Sequence, residues 1–200
     1  PTPVIVMVGT IKNVEKAITL GWKNFNDQIW LIGSIASEST IGASSYLEYF
    51  HGLVTGRPPK IDLQDEKYCQ TFLREAILKN YIISAHDVSD GGLSIALSEC
   101  CILSSKGATI ELTTQNKRVD SMLFSEGGSR VIFSINKKEE YNFSKFVKEK
   151  GKDFGQNIYI QKIGYVSKEN LNIVFKGRQL CNIGVEDLTE KFNNSISNSF

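Results

Sequence analysis

The sequence predicts an α+β fold, a mixed β-sheet with helices on its faces. Three observations predict it. Short apolar, β-branched runs alternate with stretches of helical period along the 200 residues. Several of those runs follow one another closely enough to pair antiparallel. No internal repeat and no long linker interrupts the chain, so residues 1–200 read as a single domain.

The elements follow in order. Val4 to Ile11 is apolar and β-branched with Gly9 inside, and reads as a strand. The opening "PTPVIVMVG" lacks an initiator Met and reads as the start of a piece of a longer protein. Asp27 to Ser34 reads as a second strand ending in a Gly-Ser turn. "SSYLEYFHG" reads as a short helix stopped by Gly52, with His51 near its C-terminal dipole. "GRPPKIDL" is a stiff, exposed connector. Asp62 caps a helix over 63–80, with Glu66 in its first turns. Tyr68, Phe72, Ala76 and Ile77 fall on one face of it.

A short strand, Tyr81 to Ser84, leads to a glycine-rich turn and a helix from about Gly91 to Ser104. "ATIEL" is a strand. "RVDSMLFSEGGSRVIFSI" is a short helix, a turn at Gly127-Gly128, and a strong strand from Arg130 to Ile135. "KKEEYNFSKFVKEKG" is an amphipathic helix closed by Gly151. "IYIQKIGYV" and "LNIVFKG" are late strands. "VEDLTEKFNNSIS" is a final helix that frays into a polar tail.

Composition narrows the function classes. Apolar residues make up 41% and charged residues 22%, near the globular average. A net charge of +1 gives no electrostatic case for nucleic acid or an acidic membrane surface. No apolar run reaches the roughly 18 to 20 residues that span a bilayer. Cys69, Cys100, Cys101 and Cys181 form no CxxC pair, and two histidines supply a zinc site poorly. They read as reduced structural thiols, which places the protein in the cytoplasm.

The candidate chemistry lies in "SAHDVSDGGLSIALSE", Ser84 to Glu99. A glycine-rich turn before a helix exposes unpaired N–H groups and the positive end of a dipole. Ser89, Gly91 and Gly92 are the candidate phosphate contacts. Asp87 and Asp90 would repel a bare phosphate but suit Mg²⁺, which takes one or two carboxylates plus phosphate oxygens. The structural alternative is that Ser89 or Asp90 caps the helix, the glycines permit close packing, and His86 is a satisfied core histidine. "LFSEGGSRV" adds Glu126, in a loop that could face the same crevice. Its structural alternative is a plain turn with Arg130 on the surface. The "HGLVTGRPP" block reads as a rigid surface connector without chemistry.

"PTPVIVMVG", "SSYLEYFHG" with "GRPPKIDL", "AHDVSDGGLSIALSE" and "LFSEGGSRV" occur in this order. Together they resemble the last domain of the synthetase subunit of phosphoribosylformylglycinamidine synthase over nearly the whole chain. Related turns occur in aminoimidazole ribonucleotide synthetase, selenophosphate synthetase, thiamine-phosphate kinase and a hydrogenase maturation protein. The resemblance implies a partly ferredoxin-like topology and a four-domain parent from a duplicated A–B unit, with this chain as the second B domain. It implies an ATP- and Mg²⁺-dependent ligase that converts formylglycinamide ribonucleotide and glutamine-derived ammonia to the amidine. Its partners would be the other domains, a glutaminase subunit and a small bridging subunit.

The same resemblance implies that the catalytic residues belong to the preceding domains, so this chain alone carries none. The first B domain's matching turn has the form QD-x-GAAG, with its aspartate on Mg²⁺, and Asp87 is the counterpart. The matching loop there carries Ser-Glu-Ser-Gln, against Ser125-Glu126-Gly127-Gly128 here. That departure implies a degenerate second site that does not bind the ribonucleotide. The polar tail after Phe192 favours a parent without a fused glutaminase. The alternatives are a scaffolding domain, or the equivalent domain of another superfamily enzyme.

Overall fold

The computed structural model describes residues 4–34, 40–113, 118–150 and 158–195. Its seven strands are β1 (Gln28–Ser34), β2 (Ile82–Asp87), β3 (Gly107–Leu112), β4 (Val131–Ile135), β5 (Ile158–Ser167), β6 (Asn170–Phe175) and β7 (Arg178–Gly184). Among the described residues six α-helices accompany them: α1 (Ser45–His51), α2 (Leu63–Leu78), α3 (Gly92–Ser104), α4 (Val119–Phe124), α5 (Glu140–Lys150) and α6 (Val185–Asn194). One sheet runs β2-β4-β1-β5-β3-β6-β7. Its pairs are antiparallel except β3 with β6, which run parallel. The α+β class with a mixed sheet is what the sequence predicts.

Alternation along the strands builds two cores. Ile29 and Ile132 point to one face, with Leu93, Leu97 and Cys101 of α3 and Val185 of α6. Their neighbours Trp30 and Phe133 point to the other, with Phe72 and Ala76 of α2 and Phe143 and Phe146 of α5. A period of two along a strand makes each central strand serve both layers. Helix α2 starts where predicted: Asp62 accepts N–H bonds from Gln64 at 2.8 Å and Asp65 at 3.1 Å. Of its predicted face, Phe72 and Ala76 are buried, and Tyr68 and Ile77 pack against them. Gly52 ends α1 in the left-handed conformation, φ 66°. The four cysteines are free thiols. Burial pushes Cys69 up to about 12 and Cys101 up to about 11.

Four expectations need correction. Val4 to Ile11 forms no strand, and Val4 to Val8 are 80–93% exposed. β propensity reports fit to a pleated, half-buried surface, and no described strand offers these residues one. Strand β2 extends to Asp87, beyond the predicted end at Ser84, so His86 and Asp87 lie on the strand and pair with Ile132 and Val131. Strand β7 has no counterpart among the predicted strands. Its hairpin turn, Lys176-Gly177, has positive φ at both residues (48° and 79°), as a two-residue turn requires. Arg130 lies inside, as described below. The predicted close of α5 at Gly151 falls outside the described residues.

Candidate functional site

The glycine-rich turn begins where β2 leaves the sheet. Val88 N–H donates to the Arg130 carbonyl at 2.9 Å, and Gly92 N–H to the Ser89 carbonyl at 3.0 Å. Gly91 and Gly92 both have positive φ, 75° and 72°. A Cβ on Gly92 would lie 2.7 Å from the Leu123 carbonyl oxygen and 2.8 Å from Phe124 Cα. Position 92 therefore needs glycine twice over: for its backbone angle and for the approach of α3 to the end of α4. Ser89 and Asp90 are exposed, and neither caps α3. The N-cap is Gly91, which has no side chain to do so.

The cap comes from across the fold. Glu126 Oε1 accepts the Gly91 N–H at 2.8 Å and the Ser45 N–H at 2.8 Å. One carboxylate oxygen thus joins the starts of α1 and α3. The loop carrying Glu126 is tied down at both ends. Ser129 Oγ donates to Glu66. Arg130 Nη1 donates to the Ser125 carbonyl and Oγ, both at 3.0 Å.

Arg130 is 4% exposed, contrary to the surface position read from the sequence. Burial lowers its pKa to about 10, so it stays charged at neutral pH. Among the described residues its Nε has no partner. Gly33 on β1 makes the room: a Cβ there would lie 2.7 Å from Arg130 Cα and 2.8 Å from its Cγ. A lone glycine inside an apolar strand was the available signal for such a close approach.

His86 is held from both sides. Its Nε2 meets Glu99 at 2.9 Å and its Nδ1 meets Asp87 at 3.2 Å. Glu99 belongs to α3, so the histidine ties β2 to that helix, and both ring nitrogens are occupied. The Asp87 side chain is 69% exposed and turned to the imidazole. Among the described residues, no group of three or more His, Cys, Asp or Glu is arranged to hold a metal ion. Asp87 and Asp90 are of the right donor type for Mg²⁺, but the remaining ligands would have to arrive with phosphate and water.

The structure brings Gly91 and Glu126 into contact and leaves Ser89, Asp87 and Asp90 at the surface. It also brings in residues that the sequence reading left without a role. Gly127 sits under Thr40 and Pro59, and Gly128 faces Ile61. The backbones at Gly42 and Arg57 nearly touch, since a Cβ on Gly42 would meet the Arg57 carbonyl oxygen at 2.6 Å. The proline-rich connector is thus the roof of the Glu126 loop. Tyr46 stacks on Phe124 at 4.7 Å and 4°, which brings α1 against α4 beside Glu126.

Residues 26–175 match the family described as AIR synthase related protein, C-terminal domain. The chain belongs to this family. It is 72% identical over all 200 residues to the phosphoribosylformylglycinamidine synthase subunit PurL of Prochlorococcus marinus subsp. pastoris. It is 38% identical over 204 residues to the same subunit of P. marinus strain MIT 9313. The chain spans 26% of the length of these relatives. Among solved structures, PurL of Thermotoga maritima complexed with FGAR superposes with a TM-score of 0.73 at 15% identity, covering 88% of this chain and 30% of that one. The hydrogenase maturation protein HypE in complex with ATP gives 0.55 at 14% identity, covering 86% of this chain and 55% of that one. These likenesses support the fold of the AIR synthase related C-terminal domain. Among the described residues no helix is long and apolar enough to cross a membrane.

Proposed function

We propose that the chain is the last domain of an ATP-dependent ligase that makes formylglycinamidine ribonucleotide, a step of purine biosynthesis in the cytoplasm. The observation that carries this reading is the 72% identity to a PurL subunit over the whole chain. The order of the four sequence blocks agrees with it. In this reaction ATP activates the amide oxygen of formylglycinamide ribonucleotide, and ammonia then displaces phosphate. Both steps build negative charge that positioned donors and a cation stabilise.

The domain's own part is indirect. It supplies no catalytic side chain and is inactive alone. Its turn, with Asp87 and Asp90 as the carboxylates for a Mg²⁺ that arrives with nucleotide, lines a second, degenerate site. Ser89, Gly91, Gly92 and Glu126 form the wall of that site. A solved T. maritima assembly is PurLQS. By analogy, a glutaminase and a small bridging subunit are the partners here, beside the other domains of the parent.

A scaffolding role is the second reading. The mutual satisfaction of Glu126 and Gly91 favours it, because those groups already bond each other. Changing Asp87 to Asn in the full-length protein separates the two. A fall in turnover of about tenfold or more, roughly 1.4 kcal/mol of barrier, with unchanged melting, places the turn in the working site. Unchanged turnover with lost bound nucleotide supports the degenerate second site, and unchanged turnover and nucleotide with a lower melting temperature supports the scaffold.

A further inference from the structure

We propose that Glu126 is the resident anion of this site. Its carboxylate fills, from within the chain, the position at Ser45 and Gly91 that an external oxyanion would otherwise take. This goes beyond the ligase reading and does not depend on it.

The argument starts from the N–H groups. Ser45 and Gly91 lie at helix starts, where backbone donors have no carbonyl within the helix to serve. They come from segments 46 positions apart, yet both point at one oxygen at 2.8 Å. Two backbone donors converging on one oxygen are the geometry that receives an oxyanion, and hydrogen bonds to a charged acceptor are roughly twice as strong as neutral ones. The occupant is firmly placed. Ser129 is bonded to Glu66, Arg130 to Ser125, and Gly127 lies beneath Thr40 and Pro59.

Arg130 anchors the loop from below. Its buried guanidinium donates through Nη1 to the carbonyl and Oγ of Ser125, the residue before Glu126. Oxyanions that reach the turn must therefore displace Glu126 or bind elsewhere. The turn keeps the shape of a phosphate cradle and is closed by its own side chain.

The test is hydrogen–deuterium exchange in the full-length protein, followed in the segments 41–50 and 88–95. Wild type, Glu126→Ala and Glu126→Gln are compared in chloride and in inorganic phosphate at matched ionic strength. The alanine variant is expected to exchange about tenfold faster in both segments, as loss of charge-assisted bonds predicts. Phosphate is expected to restore protection in that variant and to leave wild type unchanged. Three outcomes overturn the proposal. The alanine variant could exchange like wild type, its loss could be insensitive to phosphate, or phosphate could protect wild type equally. Should the alanine variant not fold, the glutamine variant carries the test, since it keeps shape and one acceptor oxygen. Its exchange is expected to rise about threefold, and an unchanged rate overturns the proposal.

Discussion

Two glycine pairs stand in this chain, Gly91-Gly92 and Gly127-Gly128, and they are glycine for different reasons. The first pair sits at positive φ, and a side chain there would strike neighbouring atoms: Ile95 at position 91, the α4 backbone at position 92. The second pair has no positive φ, and a Cβ on Gly127 or Gly128 would make only ordinary contacts, at 3.4 Å to Thr40 and 3.9 Å to Ile61. The dipeptide is identical in sequence, but the first pair is required by the path of the chain. The second is permitted rather than required. This bears on the resemblance, where Ser-Gln is the counterpart of the second pair: nothing in the local backbone forbids side chains at 127 and 128.

The largest expected effect breaks the first pair. Gly92→Ala forces a left-handed alanine against the Leu123 carbonyl and should cost about 3 kcal/mol, read as a lower urea midpoint. A smaller effect sharpens the contrast. Gly127→Ala should leave stability unchanged or raise it by about 0.5 kcal/mol, because it restricts the unfolded chain without straining the folded one. A destabilised Gly127→Ala beside an unharmed Gly92→Ala would reverse the comparison.

The smallest effect concerns the segment that joins the two pairs. Arg118, through its hydrogen bonds, holds the Asp120 carboxyl below its usual range at the start of α4. A lowered carboxylate pKa stabilises the fold above the unfolded value, and the contribution is lost as pH falls through the folded one. Arg118→Gln should therefore move the acid-unfolding midpoint slightly upward in pH. No movement would mean that this exposed pair does not steady α4.

Much of the fold was legible because it rests on local patterns. The α2 cap at Asp62, the apolar face through Phe72 and Ala76, and the stop at Gly52 all follow from short-range chemistry. Strand β7 was not legible, since "RQLCNIG" has little alternation and gains its place by pairing with β6. Val4 to Ile11 shows the converse, a strand-like run with no described partner. In the site, Glu126 and Gly91 were both singled out, but not their bond, which spans 35 positions. Ser45 carried no signal at all, because a backbone N–H leaves no mark in the residue type. Arg130 misled because charge suggests solvent, while the space beside Gly33 exists only once β1 and β4 pair.

The two-faced sheet has an optical consequence. The chain has two tryptophans, and the fold assigns one to each layer. Trp22 donates its indole N–H to the Cys101 sulfur at 3.4 Å, while Trp30 meets the ring of Phe143 edge-on at 5.1 Å. A thiol quenches indole emission on contact, and a phenyl ring does not. The two layers thus carry distinguishable fluorescent reporters, and single-tryptophan variants would follow the assembly of each face of the sheet separately.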